Sequence, residues 1–300
     1  MFSDRQMEVT DKAVDEIAVF VEYYTDPLCS WSWAFEAQWR RLRYECGQRL
    51  DWRYRMGGLI ADWRSYEDPL NDIRFPGQMG SQWFQIRELT GMPLDTHIWQ
   101  EDPPSSSYPA CIAVKAAQRQ GQAEAEMYLR RLREAVMMER RNIARQDVLL
   151  AIAGETAEDS NLDLDRFRKD LSAPETLDAF RQDLRDAGYY NIGRFPTLLL
   201  HSTNGHGLIL VGYRPYELLC EAVEHLTPGL RQRVQQPPEE LAVVYVTRWG
   251  HVTARELAEV MNSAVERLSP LLNSLIERGL LAYDRTFQRE VPIYAPAPRN

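Results

Sequence analysis

Residues 17–60 constrain the fold more than any other part of the chain, because they hold two strand patterns joined through a helix. Residues 17–24, IAVFVEYY, are mostly β-branched and aromatic and read as a buried strand. After the turn TDPL comes CSWSWAFEAQWRRLRYECGQRL, in which Trp33, Ala34, Ala37, Leu42 and Tyr44 keep helical spacing beside the polar flank of Trp39 and residues 40–43. LDWRYRMGGL, 50–59, alternates and ends in Gly57 and Gly58, so it reads as a second strand. Strand, helix and strand in that order favour a parallel pair with a right-handed crossover.

From about 80 to 188 the texture changes to successive helical patterns separated by Gly, Pro, Asp and Asn. Sheet signals then return in TLLLHS, the turn TNGHG and LILVGY, and a helix begins near Pro215. Two sheet portions flanking a helical block predict one α/β domain over 15–228 with an all-helical insertion at about 80–188. Residues 229–238 read as a linker. A small α+β unit over 239–300 follows, with Thr253 and Glu256 placed as a capping box. In it, Ser269 is read as N-cap and Pro270 as first residue of a helix ending at Gly279. The alternative is one helix over 254–268, since Leu257, Met261, Val265 and Leu268 keep helical spacing. LAYDRTFQREVPIYAP, 281–296, alternates like a two-stranded wing.

The four cysteines at 29, 46, 111 and 220 lie far apart, so reduced thiols are expected rather than a disulfide framework. No two cysteines or histidines stand within four positions of each other, and no metal is expected. The net charge of -9 argues against a general nucleic-acid binder, which needs clustered positive charge. RRLRYECGQR and ERRNIARQD read as solvated helix faces. No run approaches about 18 apolar residues and no leader pattern opens the chain, so a cytoplasmic protein with no membrane partner is expected.

The stretch VEYYTDPLCSWSW resembles the strand-to-helix turn of the DsbA-like branch of the thioredoxin superfamily, whose cytosolic FrnE-type members carry a pattern similar to Asp-x-x-Cys-Pro-Trp-Cys. Asp26, Cys29 and Trp31 match it; Ser30 and Ser32 depart from it. In IGRFPTLLL, Phe195, Pro196 and Thr197 resemble the superfamily's cis-proline loop, which faces the active-site cysteine. The resemblance covers roughly 17–226 and implies a thioredoxin-like fold with a helical insertion. Residues 239–300 resemble a winged helix, with seven arginines against eight acids and no basic flank on the would-be reading helix. An interaction or homodimerisation unit is therefore expected there rather than a nucleic-acid reader.

A cysteine at the first turn of a helix meets unpaired backbone N–H groups and the positive end of the dipole, so a depressed pKa is expected for Cys29. Ser32 stands where a resolving thiol would be and cannot release a mixed disulfide. Cys46, 17 residues along what reads as the same helix, lies roughly 25 Å away and cannot replace it. Cys111, opening the first helix of the insertion, is the candidate second thiol. Glu22 is the candidate buried acid behind Cys29 that the resemblance implies. Asp26, Ser30, Trp31, Arg194, Phe195 and Thr197 border the expected groove. Trp33 reads equally as groove lip or core.

The leading expectation is thiol–disulfide exchange through Cys29 as a single nucleophile, with glutathione as co-substrate or protein thiols as partners and no bound cofactor. The alternatives are a redox-inactive adaptor that holds a client protein, and a glutathione-dependent isomerase or transferase.

Overall fold

The computed structural model of the 300-residue chain describes residues 17–232, 235–283 and 292–298. Strand β1 (Val19–Thr25) runs parallel to β2 (Leu50–Met56), in register from Val19 against Leu50 to Thr25 against Met56. On its other side β1 pairs antiparallel with β3 (Thr197–Ser202), which pairs antiparallel with β4 (Gly207–Val211). The sheet order is therefore β2-β1-β3-β4, with β1 inside it. Val19, Val21 and Tyr23 of β1 are fully buried, as an apolar central strand requires.

The crossover is two helices rather than one. Helix α1 (Ser30–Ala34) stops at Phe35, and α2 (Glu36–Cys46) takes over from it. Phe35 N–H still donates to the Trp31 carbonyl at 3.0 Å, and Trp39 N–H to the Phe35 carbonyl at 2.9 Å, so the break is local. Trp39 and Leu42 seat α2 on the sheet, with the Trp39 ring 5.3 Å from that of Tyr23.

The insertion is helical, as its periodicity requires: α3 (Met79–Thr90), α4 (Ile98–Glu101), α5 (Tyr108–Gln118), α6 (Gln122–Met138), α7 (Gln146–Glu158), α8 (Leu164–Leu171) and α9 (Pro174–Tyr189). Its core is continuous with that of the sheet, from Val19 and Trp33 to Ala113, Leu132 and Ile152. Helix α10 (Tyr216–Leu226) closes this unit through Leu219 and Val223. Among the described residues no helix is long and apolar enough to cross a membrane.

Beyond it stand α11 (Pro238–Trp249), β5 (Val252–Thr253), α12 (Ala254–Val260), α13 (Val265–Glu277), β6 (Leu281–Tyr283) and β7 (Ile293–Pro296). Strands β6 and β7 are antiparallel, and β5 adds to β7, giving a second sheet in the order β5-β7-β6. The connection expected at the tip of the wing, 284–291, lies outside the described residues. Thr253 and Glu256 form the expected capping box. The neighbouring helix differs from expectation, since α13 starts at Val265 and carries Pro270 inside it instead of at its first position. Burying the stripe Leu268, Leu272 and Leu275 outweighs the cost of an internal proline, about 3 kcal/mol. Nor is 254–268 one helix: Asn262 sits at φ 49°, in the left-handed region that ends α12.

The C-terminal unit rests on α2 of the same chain. Arg40 and Arg43, expected on a solvated face, are 3% and 4% exposed. The Arg43 guanidinium lies 3.4 Å from the centre of Trp52 and 4.5 Å from that of Trp249, and pairs with Glu126. Tyr44 meets Tyr245 edge to face at 5.6 Å. The start of the linker is also fastened to α2, by Arg231 on Glu45 at 2.6 Å and by Gln232 N–H on the Glu45 carbonyl at 2.8 Å.

Candidate functional site

Cys29 is the N-cap of α1. Its backbone is extended, and its sulfur accepts a hydrogen bond from Ser32 N–H at 3.4 Å, taking up one of the donors that every helix start leaves open. From the other side comes the loop before β3. The Phe195–Pro196 peptide is cis, and the Phe195 carbonyl lies 3.6 Å from the Cys29 sulfur, which donates its S–H to it. The two marker segments are thus brought together, with Tyr24, Leu199 and Ala187 packed around the thiol.

The thiol is 5% exposed, and its pKa is raised, not depressed as expected. Desolvation by burial is the largest cause; the Ser32 hydroxyl and N–H pull the other way, Asp26 adds to the rise and Arg133 opposes it. Donors at the helix start stabilise a thiolate, but here they do not compensate the sulfur for the water it has lost. The Ser32 hydroxyl is fully buried and acts on the sulfur by proximity alone, since among the described residues it makes no hydrogen bond of good geometry.

Asp26 holds the site together. It is fully buried, and its Oδ1 accepts from Leu28 N–H at 2.8 Å. Its Oδ2 accepts from Leu59 N–H and the Ser107 hydroxyl, each at 2.7 Å, and from the Cys111 thiol at 3.2 Å. One side chain therefore ties the turn before Cys29, the loop after β2 and the start of α5. Cys111 is a structural thiol here: it points at Asp26, and burial pushes its pKa well up. Glu22 is likewise not the acid behind Cys29. It belongs to Arg55, whose Nε donates to it at 2.9 Å, and Arg55 also meets Asp183 at 3.1 Å. Alternation along β1 explains this, because Glu22 points away from Tyr23 and α2.

The remaining residues separate into rim and core. Arg194 is exposed, Trp31 is half-buried, and Ser30 is buried. Thr197 is buried and donates its hydroxyl to the Arg194 carbonyl at 2.7 Å, and the Pro196 carbonyl accepts from Gly212 N–H at 2.7 Å, so the loop is pinned at both ends. Phe195 lies over Gly57, where a Cβ would stand 2.0 Å from its ring. Trp33 is core, donating its indole N–H to the Pro93 carbonyl at 2.8 Å. The Trp31 ring lies 5.5 Å from Tyr213, whose hydroxyl accepts from Gln38 at 3.1 Å. Gln38 and Tyr213 in turn line a cleft of about 470 Å³ with Arg41, Tyr216, Arg255 and Arg267.

Sequence reasoning missed Arg133. It is fully buried on α6 and pairs with Glu36 and with the Thr25 hydroxyl, bridging the end of β1 and the start of α2 around Cys29. It missed Gly57, Ser107 and Tyr213 too, none of which carries a local motif. Among the described residues no group of three or more His, Cys, Asp or Glu is arranged to hold a metal.

Curated relatives match nearly the full chain. The ClpXP adapter protein SpxH of Halalkalibacterium halodurans is 28% identical over 260 residues, spanning 85% of this chain and 83% of its own length. That of Bacillus subtilis is 28% identical over 264 residues, spanning 87% and 82%. Solved structures match the first unit's fold. The cytosolic disulfide reductase DsbM of Pseudomonas aeruginosa superposes with a TM-score of 0.54 at 22% identity, over 69% of this chain and 100% of its own. A 2-hydroxychromene-2-carboxylate isomerase does so with 0.51 at 17% identity, over 69% and 95%. Helix and sheet order, the insertion and these superpositions agree on a DsbA-like thioredoxin fold. A family model described as Thioredoxin matches residues 23–221, most of the chain, and the protein belongs to that thioredoxin family.

Proposed function

We propose that the protein is an adaptor that holds a client protein for a ClpXP-type protease, using the thioredoxin-fold groove together with a winged-helix-like C-terminal unit. The observation that carries this is the extent of the likeness. The SpxH relatives align over 85% and 87% of the chain, a span that must reach into the C-terminal unit, whereas the disulfide reductase and the isomerase align over 69%. The thiol's state supports the same reading: an occluded sulfur with a raised pKa, donating to a carbonyl and lacking a resolving partner, is a poor nucleophile. The half-buried Trp31 and the cleft beyond Tyr213 offer an aromatic anchor and a polar groove for a client segment.

Immobilised wild type and Cys29→Ala are expected to retain the same host proteins from a lysate. Those proteins are expected to be degraded faster by purified ClpXP when the adaptor is added. Equal degradation with and without it refutes the reading.

A second reading rests on Cys29 as helix N-cap with Ser32 N–H on its sulfur. In that reading the Cys29 thiolate attacks a protein or glutathione disulfide, one thiolate leaves, and a mixed disulfide persists until an external thiol removes it. Absence of any Cys29 adduct after exposure to oxidised glutathione disposes of it.

A further inference from the structure

A buried lattice of three arginines and three glutamates runs from the residues that flank the Cys29 turn to the C-terminal unit. It starts at Arg133, which touches Thr25 and Glu36 on either side of the Cys29 turn and whose Nε has no partner among the described residues. Glu36 is shared: its other oxygen lies 3.5 Å from Arg40 and 3.9 Å from Arg130. Those two arginines converge on Glu256 of α12, at 2.8 and 2.9 Å, and both donate to the His251 carbonyl, at 3.1 and 3.3 Å. Arg130 also holds Glu134 at 2.6 Å, and Glu134 meets the His251 ring at 3.4 Å. The charges of Arg40, Arg130 and Arg133 cancel those of Glu36, Glu134 and Glu256, and all six side chains are nearly or fully buried.

A neutral buried lattice responds as a unit, because removing one member leaves an uncompensated charge that its neighbours must redistribute. Glu256 comes from the C-terminal unit, Glu36 and Arg40 from α2, and Arg130, Arg133 and Glu134 from α6. We propose that Arg133 is a positioning residue for the Cys29 sulfur and that docking of the C-terminal unit, through Glu256, sets how far Arg133 is committed to Glu36 rather than to the sulfur. A partner that pulls α12 from α2 therefore alters the reactivity of Cys29, and modification of Cys29 alters docking by the same factor. This coupling holds whether Cys29 meets a client or a disulfide.

The titratable and polar groups close enough to act on the sulfur include Asp26 from the turn, Tyr23 from β1, Ser32 from α1, Tyr66 from the loop after β2 and Arg133 from α6. Of these only Arg133 belongs to the lattice. Without Glu256 the neighbouring Arg40 and Arg130 draw Glu36 towards themselves, and Arg133 turns to the sulfur.

The experiment is iodoacetamide alkylation of the full-length protein across a pH series, with the Cys29 adduct read by peptide mass spectrometry. Glu256→Gln and, independently, Glu134→Gln are expected to speed Cys29 alkylation about fivefold or more near neutral pH and to move the midpoint of the pH profile down. Glu259→Gln serves as control, since Glu259 lies at the same interface but pairs with Arg41 and Arg255. It is expected to leave the rate unchanged. In an E36Q/R133M background, which removes one buried pair together, Glu256→Gln is expected to have no effect. The proposal is overturned if neither lattice variant changes the rate, if Glu259→Gln speeds it equally, or if the effect persists in that background.

Discussion

Replacing Asp26 with alanine tests the role of the buried acid most directly. Four donors lose their acceptor: Leu28 N–H, Leu59 N–H, the Ser107 hydroxyl and the Cys111 thiol. Ser107 has a second acceptor in the Ile60 carbonyl at 3.5 Å, and a thiol is a weak donor, so the cost falls on the two backbone N–H groups. Each stranded donor costs about 1–3 kcal/mol, or about 4 kcal/mol for the pair; sparing the acid its own desolvation brings the net to about 3 kcal/mol. Asp26→Asn retains three of the four contacts by turning its amide nitrogen towards Leu28, at about 1–2 kcal/mol. Native-state hydrogen exchange localises the loss. The Leu28 and Leu59 amides of Asp26→Ala should exchange about a hundredfold faster, with a matching fall in the urea midpoint. A loss below about 1 kcal/mol, or one no larger than that of Ser107→Ala, refutes the assignment of Asp26 as the tie between turn, loop and insertion.

Alkali should destabilise the protein through its buried thiols. Burial pushes Cys46 up to about 12 and raises Cys29, Cys111 and Cys220 as well. An unfolded thiol titrates near about 8.5, so the Cys46 contribution is complete below that pH and is lost as pH rises towards about 12. In that window wild type should lose about 1.4 kcal/mol more per pH unit than Cys46→Ala, and parallel urea-midpoint curves contradict this. Gly57→Ala should displace Phe195 at a cost of about 1–3 kcal/mol and weaken client retention, while an unmoved Phe195 in its crystal structure opposes the packing argument. Ser32→Cys places a thiol beside the Cys29 sulfur, so after oxidised glutathione and an acid quench a denaturing Ellman count should fall by two thiols. A full thiol count after oxidation shows the two positions too far apart to pair.

The site was legible where chemistry and chain geometry coincide. A strand ending in TDPLC and a second segment in RFPT each resemble a marker of the thioredoxin superfamily, so the resemblance implied the meeting of Cys29 with the loop at Phe195 and Pro196 before any coordinates. What the residue string does not carry is the dielectric around the sulfur. The helix start predicts a depressed pKa, but Tyr24, Ala187, Phe195 and Leu199, drawn from three separate segments, bury the thiol and reverse the sign. Glu22 was misplaced for a related reason: strand alternation fixes which face it takes, and the partner on that face, Arg55, comes from a strand 33 residues on. Asp26 showed the reverse, since a residue expected at the border of the groove gathers donors from Leu59 and Ser107 once the insertion folds back over it.

The arginine-rich helices deceived for a deeper physical reason. Arg40, Arg43, Arg130 and Arg133 keep the spacing of ordinary charged helical faces, and composition alone assigns such faces to solvent. They are buried because the chain supplies an equal number of acids from α2, α6 and α12 at the positions where the C-terminal unit lands, and because Trp52 and Trp249 cover Arg43. Replacing such pairs by apolar residues would often stabilise a fold at least as well, so stability alone is a weak reason for their presence. What an ionic seam supplies instead is a single register of docking and sensitivity to charge. Glu134 illustrates that sensitivity: its pKa is lowered to about 2 although burial opposes this, because Arg130 and His251 hold it charged. Its share of stability is present above the unfolded value of about 4.3 and is lost as pH falls towards about 2. A seam that is firm at neutral pH, fails when its charges fail and ends in Arg133, on Thr25 and Glu36 either side of the Cys29 turn, fits the adaptor proposed above, in which both units would hold one client.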